Sequence, residues 1–267
     1  MTPAGSFPPA DTATGEVDHV IWIGGATGAG KTTVARRLAQ RWGLRIYSSD
    51  NWTWNHRDRA VAAGVEAAVQ FETLTTEQRS VASAEVRKVM CLGDERAVMV
   101  IEDVRGLPAS PLVVAEGGVI SPRLVDPGRA VWLEPTEDFQ IKHRPAEWVA
   151  IGHSADDARR HGVPTIVVDG SRGMSDMVDE VERTFADLLR AGPHAQSLRE
   201  RRELLREANL AAVKQVRDGC ARPWATADPE TQLRSFVCEC GNRECETDLE
   251  VAVAVAATAP VIARGHR

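Results

Sequence analysis

Eight consecutive residues, Gly25-Ala26-Thr27-Gly28-Ala29-Gly30-Lys31-Thr32, fit the pattern G-x-x-x-x-G-K-[ST] without a mismatch. No other stretch restricts the fold as much, because the pattern makes sense only where a strand hands the chain to a helix. The flanking residues supply both. Val20-Ile21-Trp22-Ile23 is a short apolar run with β-branched residues, which reads as a buried strand. From Lys31 the period changes: Val34, Ala35, Leu38 and Trp42 recur at helical spacing, and Gly43 stands where a helix would stop. A phosphate chain carries several negative charges in a small volume. Successive backbone N–H groups can surround it only where side chains do not intervene, and a helix beginning at Lys31 adds its N-terminal partial positive charge. The spacing points to triphosphate binding by Gly25, Thr27, Gly28, Ala29, Gly30, Lys31, Thr32 and the adjoining Thr33. Lys31 is expected on the β- and γ-phosphates and the Thr32 hydroxyl on Mg²⁺.

The rest of the chain continues the alternation. A second strand, Leu44 to Tyr47, ends at Ser48-Ser49-Asp50, and the stretch from Trp54 to Leu92 reads as mostly helical. Ala97 to Val104 fits either period; the single face formed by Ala97, Val98, Ile101 and Val104 favours a helix. Pro111 to Glu116, Ala130 to Leu133 and Thr165 to Val168 read as three more strands. A helix follows with Ser175 as its cap and Val178, Val181, Phe185 and Leu188 as its inner stripe, ended by Gly192-Pro193. Strands alternating with helices imply an α/β fold with a five-stranded parallel sheet flanked by helices. At about 150 residues per domain, the 267 residues make one large domain, or one plus a small appendage. The expected boundaries are a disordered, Pro- and Ala-rich tail over 1–17, a core over 18–190 and a C-terminal helix plus cysteine-bearing module over 194–267. Ser197 to Glu200 is a capping box that opens a helix with Leu198, Leu205, Ala208, Ala212 and Val216 in one stripe, stopped by Gly219. Val251 to Val255 alternates Val with Ala, as a final strand would.

Composition narrows the function classes. The hydrophobic fraction is 43% and the charged fraction 26%, which argues against chain-wide disorder. A net charge of −6 argues against a general nucleic-acid binder and a polybasic membrane anchor. No apolar run reaches the roughly 18 residues of a membrane span. The first residues lack both a basic start and an apolar run, so no secretory signal is visible and a cytoplasmic protein is expected.

The quoted motifs carry a resemblance. The loop GGATGAGKTT, the acid in SSD (Ser48 to Asp50), the strand-plus-acid VVAEG and an arginine-containing segment before the last strand resemble the small P-loop kinases, namely nucleoside monophosphate kinases, shikimate-type kinases and chloramphenicol phosphotransferases. The resemblance spans His19 to Leu189. It implies a P-loop NTPase fold and transfer of a phosphoryl group from Mg-ATP or Mg-GTP to a hydroxyl or phosphate of a small molecule: a nucleotide, a metabolite or an antibiotic.

On the acceptor side, Asp50 falls at the carboxyl end of the second strand, where open parallel sheets bind ligands. Transfer to an alcohol needs a group that orients the hydroxyl and takes its proton. The chloramphenicol phosphotransferase likeness implies this role for Asp50, although Asp is also a favoured helix cap. Glu116, ending its strand, is the favoured second Mg²⁺ residue; Asp103 competes if the strand lies at Val98 to Glu102 instead. Many P-loop proteins carry Asp there, so Glu is a departure. Trp52 and Trp54 suit either acceptor stacking or a core, and Arg57 or Arg59 either an anionic acceptor or solvent. The segment Glu137 to Gly162 lies where small kinases carry a lid, and Arg144, Arg159 and Arg160 are its candidates for stabilising charge on the leaving phosphate.

Cys238, Cys240 and Cys245 place three thiols in one turn. Zinc takes four such ligands in a tetrahedron, and Cys220 or His266 offers the fourth; a hairpin with three reduced thiols accounts for the same residues. The partners expected are a nucleoside triphosphate and a small acceptor, with no membrane and no nucleic acid, and the oligomeric state stays open. The rival reading is a nucleotide-binding regulatory switch whose C-terminal module binds a protein or nucleic acid.

Overall fold

A computed structural model of the protein describes residues 17–143 and 153–266. Residues 1–16 of the expected tail, and Arg144, lie outside the described residues. The strand after which the glycine loop begins, β1 (Val20–Gly25), is central in a sheet whose other members are β2 (Arg45–Ser48), β3 (Val113–Glu116), β4 (Ala130–Pro135) and β5 (Thr165–Val168). All four pairings are parallel and the order is β2-β3-β1-β4-β5. The α/β class and five-stranded parallel sheet expected from the sequence are therefore present.

The side-chain period of two divides the core into two halves. Ile21, Ile23, Val114, Val131 and Leu133 face α1 (Lys31–Trp42) and α9 (Met174–Thr184). Val20, Trp22, Val113, Ala115 and Trp132 face the opposite side, against α6 (Gly93–Arg105) and α8 (Ala155–Arg160). Between β2 and α6 lie α2 (Thr53–Ala62), α3 (Glu66–Thr73), α4 (Thr76–Ser80) and α5 (Ala84–Met90), the helical middle that the sequence suggested. Residues 97–104 are helical within α6 and bury Ala97, Val98, Ile101 and Val104. α7 (Glu137–His143) follows β4, and α10 (Ala186–Ala191) follows α9.

Two glycines let the strand ends approach one another. Gly25 has φ +132, and a Cβ there would lie 2.2 Å from the Leu133 carbonyl oxygen. Gly117, with φ +150 just after β3, would place a Cβ 1.7 Å from Ser49 Oγ. Both positions combine a backbone region that side chains avoid with no room for one.

The C-terminal part differs from expectation in four details. α11 (Leu198–Cys220) runs one residue past Gly219. Its buried face is Arg201, Leu204, Leu205, Asn209 and Val213, whereas Leu198 is 51% exposed. Leu205 of the expected stripe is buried, and Ala212 and Val216 pack partly buried against the small core beside this helix; what the stripe lacked were the inward polar residues Arg201 and Asn209. The final strand is β7 (Asp248–Ala252), paired antiparallel with β6 (Leu233–Val237). Residues from Val253 onward turn into α12 (Val253–Thr258), because alternating Val and Ala satisfies a strand while Ala also favours a helix. Upstream, the α9 cap is Gly173 rather than Ser175, with the Asp176 carboxylate accepting the Gly173 N–H at 3.1 Å. β6, β7, α11 and α12 enclose a small core of Val213, Phe236, Val253, Ala256 and Val261. No described helix is long and apolar enough to cross a membrane.

Candidate functional site

β1, β2 and β3 end side by side, and the polar residues singled out in the sequence meet there. The register aligns Ile23 and Ser48 with Glu116. Period two turns the Ser48 and Glu116 side chains to the same face as α1, whose second residue is Thr32. Glu116 Oε1 accepts the Ser48 hydroxyl at 2.5 Å and the Thr32 hydroxyl at 3.1 Å. The two residues expected to hold Mg²⁺ are therefore in contact. Lys31 is buried, and its ammonium donates to the Ala26 carbonyl inside the glycine loop at 2.8 Å. Gly28 and Gly30, with φ +82 and +85, shape the loop. Asp50 is exposed on a short 3₁₀ turn, Ser49–Trp52, directly after β2.

The electrostatics are those of a crowded anionic site. Glu116 is 1% exposed. Its carboxyl is pushed above the usual range by burial first and then by the Asp50 charge, and Ser48, Lys31 and Thr32 oppose the shift. Glu116 Oε2 has no hydrogen-bond partner among the described residues. A buried acceptor of this kind is costly unless a donor or cation meets it. Between the ordinary glutamate range and the raised value, the folded state holds a proton that the unfolded chain has released. The residue thus weakens the fold as pH rises through that window. Glu116→Gln keeps the shape without the charge. It is expected to raise the melting temperature at about pH 8 and to change it little at about pH 4, where both states are protonated. Thermal unfolding across pH checks this, and an equal change at both ends would contradict it.

Arg96, which carried no signal in the sequence beyond being an arginine within an apolar helix, lies beneath Asp50. Its guanidinium donates to the Ser49 carbonyl at 3.0 Å and the Thr53 hydroxyl at 2.8 Å. Burial lowers its pKa, and the Asp50 charge opposes that shift. Ser48 was also missed as a site residue; its signal was its place at the strand end two residues before Asp50.

Other candidates are held elsewhere. Asp103 lies in α6, not at a strand end. It accepts Tyr47 Oη and His56 Nε2, each at 2.7 Å, and Arg59 at 2.7 Å. This network ties α2 and α6 to β2. Trp52 stacks on Tyr47 at 6.1 Å, and Trp54 packs with Phe71 and Trp224. Arg57 is buried, donates to the Met90 carbonyl at 2.6 Å and lies 3.7 Å over the Phe71 ring; burial pulls its pKa down to about 10. Arg159 pairs with Glu134 and with Asp156 at 2.7 Å, and Arg160 pairs with Asp157 at 3.1 Å.

A cleft of about 620 Å³ opens between the start of α6 and α8, lined by Cys91, Asp94, Val119, His153 and Arg160 among others. Val119, three residues beyond Glu116, lies in its wall, whereas Lys31, Thr32, Asp50 and Glu116 do not line it. Its volume is in the range of small-molecule sites.

The second cluster is separate. Cys238, Cys240, Cys245 and His266 bring their ligand atoms within 4.8 Å of one another. His266 Nδ1 lies 3.4 Å from Cys238 Sγ and 3.6 Å from Cys245 Sγ. In a zinc tetrahedron with bonds of about 2.3 Å to sulfur and 2.0–2.1 Å to nitrogen, sulfur and nitrogen are about 3.6 Å apart, so the spacing fits. The Ala263 N–H points at Cys238 Sγ at 3.4 Å, as donors around metal thiolates do. Cys220, the other candidate fourth ligand, ends α11 and is not part of this group. The residues thus form a Cys₃His group able to hold a metal ion.

No protein-family model matches the chain, and no curated protein is detectably similar to it.

Proposed function

We propose that the protein is a phosphotransferase that moves the γ-phosphoryl group of ATP or GTP to a small-molecule acceptor. The observation that carries this reading is the contact of Glu116 with both Thr32 and Ser48 at the ends of β1–β3, beside the complete glycine loop and within electrostatic reach of Asp50. Mg²⁺ would supply positive charge between the phosphate oxygens, and Thr32 and Glu116 are the residues to hold it. The partnerless Glu116 Oε2 suits that purpose. The glycine-loop N–H groups and Lys31 bind the phosphates, Lys31 exchanging the Ala26 carbonyl for phosphate oxygens. Asp50 orients the acceptor hydroxyl and takes its proton as the acceptor oxygen bonds to phosphorus and the nucleoside diphosphate leaves. Arg96 holds the turn that carries Asp50. The cleft beside α6 and α8 is the place for the acceptor. Arg159 and Arg160, exposed and paired to carboxylates, can exchange partners as charge moves to the leaving group. The test is nucleotide turnover with and without a panel of alcohols, sugars and nucleoside monophosphates. Turnover should rise with the right acceptor, and turnover indifferent to every acceptor speaks for a hydrolytic switch.

We further infer that Cys238, Cys240, Cys245 and His266 bind one structural zinc. The module encloses only a small core, and a metal can supply the missing stability. Protein purified without a histidine tag should contain about one zinc per chain, as a four-ligand site requires. Cys240→Ser should lose it and expose β6 and β7 to proteolysis. Metal-free protein with freely titrating thiols and an intact module would remove the idea.

A further inference from the structure

The cysteine loop is fastened to one particular helix. The last carbonyls of any helix lack partners within it, and α1 finds them in the C-terminal module. Arg201 of α11, 7% exposed, donates from Nη2 to the carbonyls of Gln40 and Arg41. From Nε it donates to the Gly241 carbonyl at 3.0 Å, in the turn that follows Cys240. Gln40, 2% exposed, returns the contact from α1 by donating to the Cys238 carbonyl at 3.3 Å. Further along α1, Arg36 donates to the Ser235 carbonyl at 3.1 Å and pairs with Asp248 at 3.3 Å. Gly241 has φ +74, and a Cβ there would lie 2.8 Å from Leu198, so the turn is seated closely against α11. The opposite end of α1 begins at the glycine loop.

We propose that Arg201 is a positioning residue that makes the metal loop the C-terminal anchor of the phosphate-loop helix, so that metal occupancy and nucleotide binding favour one another. This rests on the two readings above, a metal at the cysteine group and a nucleotide at the glycine loop. The physical chain is short. A bound metal fixes the 238–245 turn, and with it the carbonyls of Cys238 and Gly241. Those carbonyls are the partners of Gln40 and Arg201, two buried polar side chains that are costly to leave unpaired. Without the metal the turn loosens, the anchor of α1 is lost, and the loop at its other end holds its phosphate-binding shape for less of the time. Linkage then requires the converse: bound nucleotide must raise the affinity for the metal by the same factor that the metal raises nucleotide affinity, on the order of 5-fold or more.

The experiment uses the full zinc-loaded chain as wild type, Arg201→Ala and Arg201→Lys. Zinc affinity is read by equilibrium competition with a chromophoric chelator, with and without saturating Mg-ATP, and amide hydrogen exchange is followed across Lys31–Trp42 before and after zinc removal. In the wild type, Mg-ATP should raise zinc affinity about 5-fold or more, and zinc removal should speed exchange in the last turns of α1. Arg201→Ala should keep its zinc and lose both effects; Arg201→Lys should restore part of them. Equal zinc affinities with and without a nucleotide that does bind would overturn the proposal, as would α1 exchange that ignores the metal. If Mg-ATP does not bind, the nucleotide reading has failed, and the exchange measurement still decides whether the metal anchors α1. A chain that takes up no zinc overturns the proposal together with the zinc reading.

Discussion

Lys31→Met is expected to weaken Mg-ATP binding by about 100-fold or more, the scale of losing charge-assisted hydrogen bonds to phosphate, and to end turnover. Methionine retains the stem, which matters because Lys31 is only 7% exposed and truncation to Ala would also remove buried packing. The ammonium donates to the Ala26 carbonyl of the same loop, and the retained stem keeps the packing, so the unfolding midpoint should move less than the affinity. Titration calorimetry and thermal unfolding of the same preparation separate the two effects. Unchanged nucleotide affinity in a folded variant removes the phosphate-loop assignment.

Asp50→Asn carries the second large effect. Asn keeps the size but cannot take a proton. The exposed position means that little packing is at stake. We expect kcat to fall by about 10² to 10⁴ with nucleotide affinity nearly intact. Normal turnover would leave Asp50 as an exposed residue inside the turn after β2, whose capping positions are Ser48 and Thr53 and not Asp50, against the cap reading of the sequence. Loss of nucleotide affinity as well would make it a magnesium residue, sharing the ion with Thr32 and Glu116.

The strand–glycine loop–helix that carries half of the candidate site was legible in the sequence because its determinants are local. A β-branched run, glycines at fixed offsets and a change of period define β1, the loop and α1 without tertiary information. Glu116 was legible as a strand end. That it would meet Ser48 and Thr32 depends on strand order and register, which place β3 between β1 and β2. Arg96 and the Tyr47–His56–Asp103 network were not legible, since a buried polar residue in an amphipathic helix looks like a solvated one until its partners are known. The same blindness left Arg201 and Asn209 out of the stripe of α11, where they face inward to serve backbone carbonyls of neighbouring elements. The three thiols announced a metal group, but only the folded chain chose His266 over Cys220, because the path after α12 brings His266 back to the 238–245 turn.

The central claim is transfer rather than hydrolysis, and the fate of the γ-phosphoryl group decides it. Protein incubated with γ-labelled Mg-ATP and a mixture of hydroxylated and phosphorylated small molecules should move the label onto one class of acceptor, with Asp50→Asn greatly slowed and Lys31→Met inactive. Label recovered only as inorganic phosphate, at a rate no acceptor changes and Asp50→Asn leaves untouched, would contradict the account and leave a nucleotide-hydrolysing switch in its place.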